Sequence, residues 1–516
     1  MFNPKKYLTL FFLFTVLAPA SMLWGQNTYV PDNNFEQALI DLNYDDTLDD
    51  YVLTANISGV TSLDVESKEI SDLTGIEDFT ALTFLKCDDN QMTSLDVISN
   101  TLLTHLECNN NQLTSLDVSS NTALINLKCQ TNQLTTMDLS NNTALIELQI
   151  VNNQLTTLDL SNNTDLMSLN ITSNSLTSLD VSSNTALTYL DCGSNSLTSL
   201  DVSANTALTN LRCLYNQLST LDISSNTALE YLTCQGNQFT SLNLSTNTAL
   251  VELSCGHNQL TQLDLSNNPI LNRLHCYNNS LTSLDVSNNT ALIDMNCQDN
   301  QLTSLDVSAN TALTALEAQG NQLTSLDVSS NTALNWFRCD NNQLTTLDVS
   351  NNTALWDLRC GNNQLTSLNV SSNTALDILN CYSNQLTSLD VSINTALTQL
   401  RFYSNQITEI DLSSNTAIGN LECGSNQLTS LDVSINTALT SLACQNNQLT
   451  YLNMKNGLTE QVTDFNATSN SLTCIETLDP DYATANWTLA NGNIDAGVTF
   501  ADICYASNPD YTYVPD

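Results

Sequence analysis

Apolar residues return along most of this chain at fixed offsets within a period of 21 residues. From residue 82 onward the copies are nearly identical. One reads Leu187-Thr-Tyr-Leu190-Asp-Cys192-Gly-Ser-Asn195-Ser-Leu197, then Thr-Ser-Leu200-Asp201-Val202-Ser-Ala-Asn205-Thr-Ala207. Counting in steps of 21 from Cys87 gives 18 registers without a gap, ending at Cys444. Fourteen of these anchors are Cys, and the others are Ile150, Ile171, Ala318 and Phe402. Asn stands three residues after every anchor, from Asn90 to Asn447. The first half of the copy, LxxLxCxxNxL, alternates apolar and polar residues and predicts a short strand with one face inward. The second half, LTxLDVSxNTA, has no helical period and predicts a second short strand plus a turn. One such turn cannot bury its own leucines, whereas stacked turns share a continuous core and need a cap at each end. The pattern therefore predicts a repeat solenoid, mainly β.

Both caps show as departures from the period. Asp32 is placed to N-cap a helix running through Leu42, with Phe35, Leu39 and Leu42 on its apolar side. Residues 60–81 hold an off-period copy carrying Val60, Leu63, Val65, Ile70, Leu73 and Ile76. After Cys444 a two-residue insertion moves the register to Ala467, and the pattern then dissolves into a segment containing Trp487. The expected division is an N-terminal cap over 26–59, a solenoid over 60–473 and a C-terminal cap over 474–511.

With its recurring spacing of Leu, Cys and Asn, the LxxLxCxxNxL segment resembles the leucine-rich repeat family. The segment Ile70-Ser-Asp-Leu73-Thr-Gly-Ile76 is similar to the 22-residue repeats of internalin-type bacterial surface proteins. The resemblance covers residues 60–473. It implies that each 11-residue segment forms one strand of a parallel sheet on the concave face, that the Asn bonds backbone in neighbouring turns, and that partners dock on that face. The second half departs from the commonest leucine-rich-repeat types, which leaves a plain two-stranded parallel β-helix as the alternative fold.

The first 25 residues change the setting. Lys5 and Lys6 precede an apolar run from Tyr7 to Ala20, and small residues follow, which is the layout of a secretory signal peptide over 1–25. The run is too short for a comfortable membrane span, and no later stretch of about 20 apolar residues exists. A secreted or cell-surface address is expected, with no membrane insertion. The whole chain carries a net charge of −42, and removing the leader leaves nine basic and 53 acidic side chains. Nucleic acid and anionic membranes need a cationic footprint, so both are disfavoured as partners. The same charge resists self-association, so a monomer is expected.

Sixteen cysteines in an exported chain invite a disulfide reading. The fourteen ladder positions argue otherwise. Their unbroken runs of three cannot be fully paired, and Ile, Ala or Phe replaces Cys elsewhere at the same position. A buried thiol is a compact apolar group that meets the same need. Cys474 and Cys504 lie outside the ladder and are expected to be bonded. Cys255, His257, His275 and Cys276 sit in adjacent turns, but alternate strand side chains point to opposite faces, so they cannot converge on zinc. No segment matches a phosphate-binding loop, a G-x-S-x-G elbow or H-E-x-x-H. The reading is of a protein without catalytic function.

The copies act as controls for one another, and the variable positions flank the inward residues of the first strand. Seven of the nine remaining basic residues fall there (Lys86, Lys128, Arg212, Arg273, Arg338, Arg359 and Arg401), with all three histidines and nine aromatic residues. The densest group lies in the turns anchored at 339 to 402: Trp336, Arg338, Trp356, Arg359, Tyr382, Arg401 and Tyr403. Neighbouring strands lie about 4.8 Å apart, so these side chains share one patch. Arg, Trp and Tyr are the types enriched at binding hot spots. The three arginines are expected to attract a carboxylate or phosphate, and the aromatics suit a sugar ring. The resulting expectation is a protein or carbohydrate ligand on the concave face of a binding or adhesion protein; the alternative is a structural spacer with no specific ligand.

Nine residues after the anchor stands Asp in fifteen turns, with Asn243, Asn369 and Asn453 in the other three. Stacked like charges predict raised carboxyl pKa values along this ladder. No cofactor is required, although the ladder and the group Asp45, Asp46, Asp49 and Asp50 are candidates for weak calcium binding. Finally, residues 512–516 repeat the Thr28-Tyr29-Val30-Pro31-Asp32 that leads into the first helix. That repetition raises the expectation of a second cap-plus-solenoid unit beginning at 512.

Overall fold

A computed structural model describes residues 25–457 and 459–504. The leader and the repeated pentapeptide at 512–516 lie outside the described residues. The two-stranded antiparallel pair Asn27–Tyr29 and Tyr51–Leu53 brackets the helix Asn33–Asp41. Asp32 caps that helix, its carboxylate accepting from the backbone N–H groups of Asn34 and Phe35 at 2.9 and 3.0 Å. Phe35 and Leu39 are fully buried and close the end of the core, with the Phe35 ring 6.4 Å from that of Phe79. Leu42, expected on the same apolar side, lies just past the helix and is 40% exposed. The helix stops one residue earlier than expected, so the side chain at 42 has turned away from the first coil.

The main body is one parallel sheet of three-residue strands, one per turn. It runs from Ser62–Asp64 through Phe84–Lys86 to Ser441–Ala443 and Asp464–Asn466. Registers advance by 21, as in Asn210↔Tyr231 and Leu211↔Leu232. The two-residue insertion after Cys444 appears as a step of 23, Ser441↔Asp464. Among the described residues nothing pairs the last strand back to the first, so the sheet is open at both ends. Its inward residues, Leu106, Cys108, Leu127, Cys129 and their equivalents, are fully buried.

The second half of each turn differs from expectation. Regular strands form there only near the C-terminal end, at Ser430–Asp432, Tyr451–Asn453, Cys474–Glu476 and Thr499–Ala501. Elsewhere among the described residues only isolated bridges occur, Asp96 with Asp117 and Asp348 with Asn369. Each copy closes in a local turn. In Asp201, as in its equivalents, the carboxylate accepts the N–H of Ser203 two residues on, at 2.9 Å. Asn205 N–H then donates to the Val202 carbonyl at 3.0 Å. The same two bonds follow Asp432, where a regular strand does form, so the turn ends the segment and does not decide whether it pairs.

Two buried asparagine ladders hold the turns together. Asn216 donates through Nδ2 to the carbonyls of Cys192, Cys213 and Leu214, and its Oδ1 accepts from Leu197 N–H at 2.9 Å. The second ladder, Asn100 to Asn436, has no counterpart among the sequence expectations. Each member is buried; Asn205 donates to the carbonyls of Val181 and Asn184 at 2.9 and 2.8 Å.

All fourteen ladder cysteines are buried as free thiols, and Cys474 is bonded to Cys504 with Cα atoms 5.8 Å apart. Burial pushes the thiols of Cys129 and Cys213 up to about 12. In the C-terminal cap Trp487 is buried, its ring 4.4 Å from that of Phe465.

Candidate functional site

The outward positions of the strands carry the candidate residues. Trp336 and Arg338 lie on the strand Trp336–Arg338, and Arg359 ends the next strand, Asp357–Arg359. The register places Arg338 directly opposite Arg359. Trp356 immediately precedes that second strand. Its ring meets Trp336 edge to face with centroids 5.5 Å apart, and the Arg338 guanidinium sits over Trp336 at 4.5 Å. Tyr382 and Tyr403 each follow an anchor, and their rings stack with centroids 4.8 Å apart. The seven residues therefore form a Trp pair at one edge of the strands and a Tyr pair at the other, with the arginines between them.

Gly361 makes room for the Tyr pair. A Cβ there would meet the Tyr382 ring at 2.5 Å. The same arrangement recurs where Tyr277 lies over Gly256. A Gly one residue after an anchor, with Tyr in the same column one turn later, is a signal of this packing that the sequence itself carries.

The arginines do not form the open anion site expected of them. Arg359 donates through Nε and Nη2 to both oxygens of the buried Asp357, at 2.9 and 3.0 Å. Arg401 Nε stands 2.9 Å from Glu422. Arg338 lies 3.6 Å from Glu317 and 3.9 Å from Asp357. The other strand-face cations follow suit: Lys86 pairs with Glu66, Lys128 with Glu107, Arg212 with Asp191, and Arg273 with both Glu252 and Asp294. Their charge is neutralised within the sheet, and the fork of Arg359 is already filled. What remains outward is aromatic surface framed by polar groups. Trp336 Nε1 and Arg338 Nε are buried donors without a hydrogen-bond partner.

Two acids belong to the site and are absent from the expected set. Asp357 anchors the arginines. Asp340 is 9% exposed, and its carboxyl is pushed up to about 6, chiefly by burial, against the opposing pull of Arg338 and Arg359. Both occupy variable columns that supply the cluster, Asp357 that of Trp336 and Asp340 that of Tyr382 and Tyr403, which is the signal that could have found them.

A second, looser cluster lies in the turns anchored at 234 to 297. His275 Nε2 is 3.3 Å from Asp294, His257 meets Tyr277 edge to face at 5.1 Å, and the Tyr277 hydroxyl donates to Gln235 at 3.1 Å. Tyr215 and His257 occupy the column two residues after the anchor, where φ is about 50° in nearly every turn. Asn, Asp and Ser tolerate that left-handed conformation more readily than an aromatic ring. Cys255 and Cys276 are fully buried in the core, away from the histidines.

The acid ladder titrates opposite to expectation. The carboxyls of Asp180, Asp201 and Asp306 are held below the usual range, first by the hydroxyl and then by the backbone N–H of the Ser two residues on. These bonds outweigh repulsion between turns because the carboxylates stand in solvent, where like charges are well screened.

No family model matches the chain. Over 78 residues it is 40% identical to internalin J of Listeria monocytogenes, and that match spans only 8% of the longer protein. A functional domain of internalin J that includes a cysteine ladder is 34% identical, with a TM-score of 0.55, covering 79% of this chain and 83% of that domain. YopM of Yersinia enterocolitica, at 24% identity and a TM-score of 0.67, covers 86% of this chain and is itself covered over 91% of its length, and shares the fold. The Arabidopsis receptor kinase HAESA, in complex with the peptide hormone IDA, shares it at 18% identity and a TM-score of 0.57, with 86% of this chain and 91% of that one covered. With its cysteine ladder, its asparagine ladders and its 21-residue parallel turns, this chain belongs to the internalin-like leucine-rich-repeat proteins.

Proposed function

We propose that the protein is an exported, non-catalytic binding or adhesion module that takes a protein or carbohydrate ligand on its strand face, centred on the turns anchored at 339 to 402. The observation that carries this reading is the pairing of Trp336 with Trp356 and of Tyr382 with Tyr403 on the outward face of neighbouring strands. Partly exposed aromatic rings supply contact area at low entropic cost and are the usual anchors of an interface. Because the arginines are neutralised internally, the ligand that fits is uncharged and polar at this patch, with planar or ring groups to stack. That a receptor kinase of the same fold holds a peptide hormone supports the fold's capacity for such a role.

The test is a screen of the chain against surface proteins and glycans, followed by Trp356→Ala and Tyr403→Ala. Binding that falls about tenfold or more in either variant, with the far-ultraviolet circular dichroism of the folded chain retained, is the expected result. A screen without hits would favour the spacer reading, and hits indifferent to both variants would put the binding surface outside this cluster.

A further inference from the structure

One acid of the strand-face cluster is left without a partner. Two residues beyond the register pair of Arg338 with Arg359, Asp340 stands opposite Gly361, on the same outward face as Arg338. It is only 9% exposed. Among the described residues it is the one buried acid whose carboxylate has neither a hydrogen bond nor an ion pair. The others are provided for. Glu36 accepts the N–H groups of Asp49 and Tyr51. Asp191, Asp357 and Glu476 each have Arg or Lys beside them. Asp88, in the same column as Asp340, accepts the N–H of Asn109 in the next turn at 2.6 Å. Asp340 does not take the equivalent N–H of Gly361.

Its surroundings narrow what could meet it. Tyr382 leans over Gly361, near enough for the charge of Asp340 to act on its phenol. Arg338 and Arg359 pull on the carboxyl without bonding it, because they are matched by Glu317 and Asp357. A buried carboxylate without donors is costly. A cation supplied by a ligand would have to approach past two guanidiniums of its own sign. An anionic ligand group finds the fork of Arg359 already filled. Hydroxyl groups donate to a carboxylate with no charge of their own, and the bond is a strong one. We propose that the ligand of this face is a neutral oligosaccharide, with the Asp340 carboxylate accepting its hydroxyls and the aromatic pairs packing against the C–H faces of its rings. Trp336 and Asp340 are four residues apart, roughly 13 Å along an extended chain. A ligand that reaches both is therefore longer than one sugar. The inference rests on the strand-face reading and adds to it the ligand class and the residue that selects it.

The full chain and its variants Asp340→Asn, Trp356→Ala and Tyr403→Ala are titrated by calorimetry at about pH 7.5. The probes are soluble neutral oligosaccharides of glucose, mannose and galactose, a sialylated oligosaccharide and a lysine-rich peptide. Asp340→Asn keeps the side-chain shape and removes a buried charge, so folding is not at risk. Saturable binding of a neutral oligosaccharide is expected, weakened about tenfold to a hundredfold in Asp340→Asn. Wild-type binding should also weaken on going to about pH 5, through the value near 6 at which Asp340 takes up a proton, whereas Asp340→Asn stays flat. Binding that needs Trp356 or Tyr403 but is indifferent to Asp340→Asn would overturn the proposal and leave the strand-face reading standing. Preference for the sialylated probe or the peptide, or no saturable binding of any neutral oligosaccharide, would overturn it as well. The strand-face reading itself falls only if no ligand of any class depends on Trp356 or Tyr403.

Discussion

The ring of Tyr382 lies flat over that of Tyr403, the two planes 7° from parallel, and it can do so because position 361 in the preceding turn has no side chain. Replacing Gly361 by Val should push the Tyr382 ring out of the stack without touching the leucine core. The expected loss is about 0.5–1.5 kcal/mol, the value of an aromatic pair, together with a changed near-ultraviolet circular dichroism of the tyrosines. Unchanged dichroism and stability would mean that the stack does not depend on the glycine.

Asp340 makes the site responsive to pH. Its folded value of about 6 lies above that of an unfolded aspartate, so the folded state binds the proton first as pH falls. The charged form costs stability at pH 7, and that cost fades between about pH 6 and pH 4. Asp340→Asn should therefore stabilise the protein by about 1–3 kcal/mol at pH 7, with the gain shrinking toward zero by about pH 4. Melting curves of the variant and wild type across that range give the check; a constant difference would contradict it.

The acid ladder works the other way. The carboxyls of Asp180, Asp201 and Asp306 titrate below the unfolded value, because Ser groups bond the charged form. The stability they lend is present above the unfolded value of about 4 and is lost as pH falls through the lower folded values. Between about pH 7 and pH 5 the ladder should contribute no pH dependence. Changing Ser182, Ser203 and Ser308 together to Ala should move the acid-induced loss of stability to higher pH, as read by circular dichroism at fixed temperature.

The second asparagine ladder should be as demanding as the first. Asn205 is fully buried and satisfies two backbone carbonyls of the preceding turn, those of Val181 and Asn184. Each carbonyl keeps a backbone donor, the N–H of Asn184 or of Leu187, so Asn205→Ala removes one of two bonds from each, at about 0.5–1.5 kcal/mol for each weakened group. Asn288, one residue before the ladder member Asn289, is exposed and serves as the control. Denaturant melts of Asn205→Ala and Asn288→Ala should differ by at least the cost of one such group.

The ladder thiols are expected to stay silent toward a thiol reagent at pH 8 in the folded protein. Burial shields them and pushes Cys129 and Cys213 up to about 12, so almost no thiolate is present to react. Denaturation without reductant should release all fourteen. Rapid labelling before unfolding would show that the turns open, and fewer than fourteen after it would show hidden disulfides.

Much of the architecture was legible in the residue pattern. The 21-residue period, the inward cysteines, the capping role of Asp32 and the bond between Cys474 and Cys504 follow from alternation and spacing, because each is a local rule repeated or broken. The outward cluster from Trp336 to Tyr403 was legible as composition, since fold-neutral columns expose rare residue types. Its charge state was only partly so. Glu107 stands one period before Lys128, and Asp191 one period before Arg212, so those ion pairs could have been read from the columns. Asp357 and Arg359 share a face by alternation, but the fork between them depends on rotamers, which no column reveals.

Burial of leucines at fixed offsets in every stacked turn tolerates no other phase, so residue order was enough to set the repeat, its register and the identity of the inward side chains. What the second half of each turn does, and how its charges behave, emerged only on folding. The LDVS segment is equally compatible with a strand and with a turn. Once the first strands fix the spacing of the stack, the Asp carboxylate captures the Ser N–H two residues on and closes the turn. With the Ser hydroxyl, that bond lowers the carboxyl that stacked charges alone would have raised.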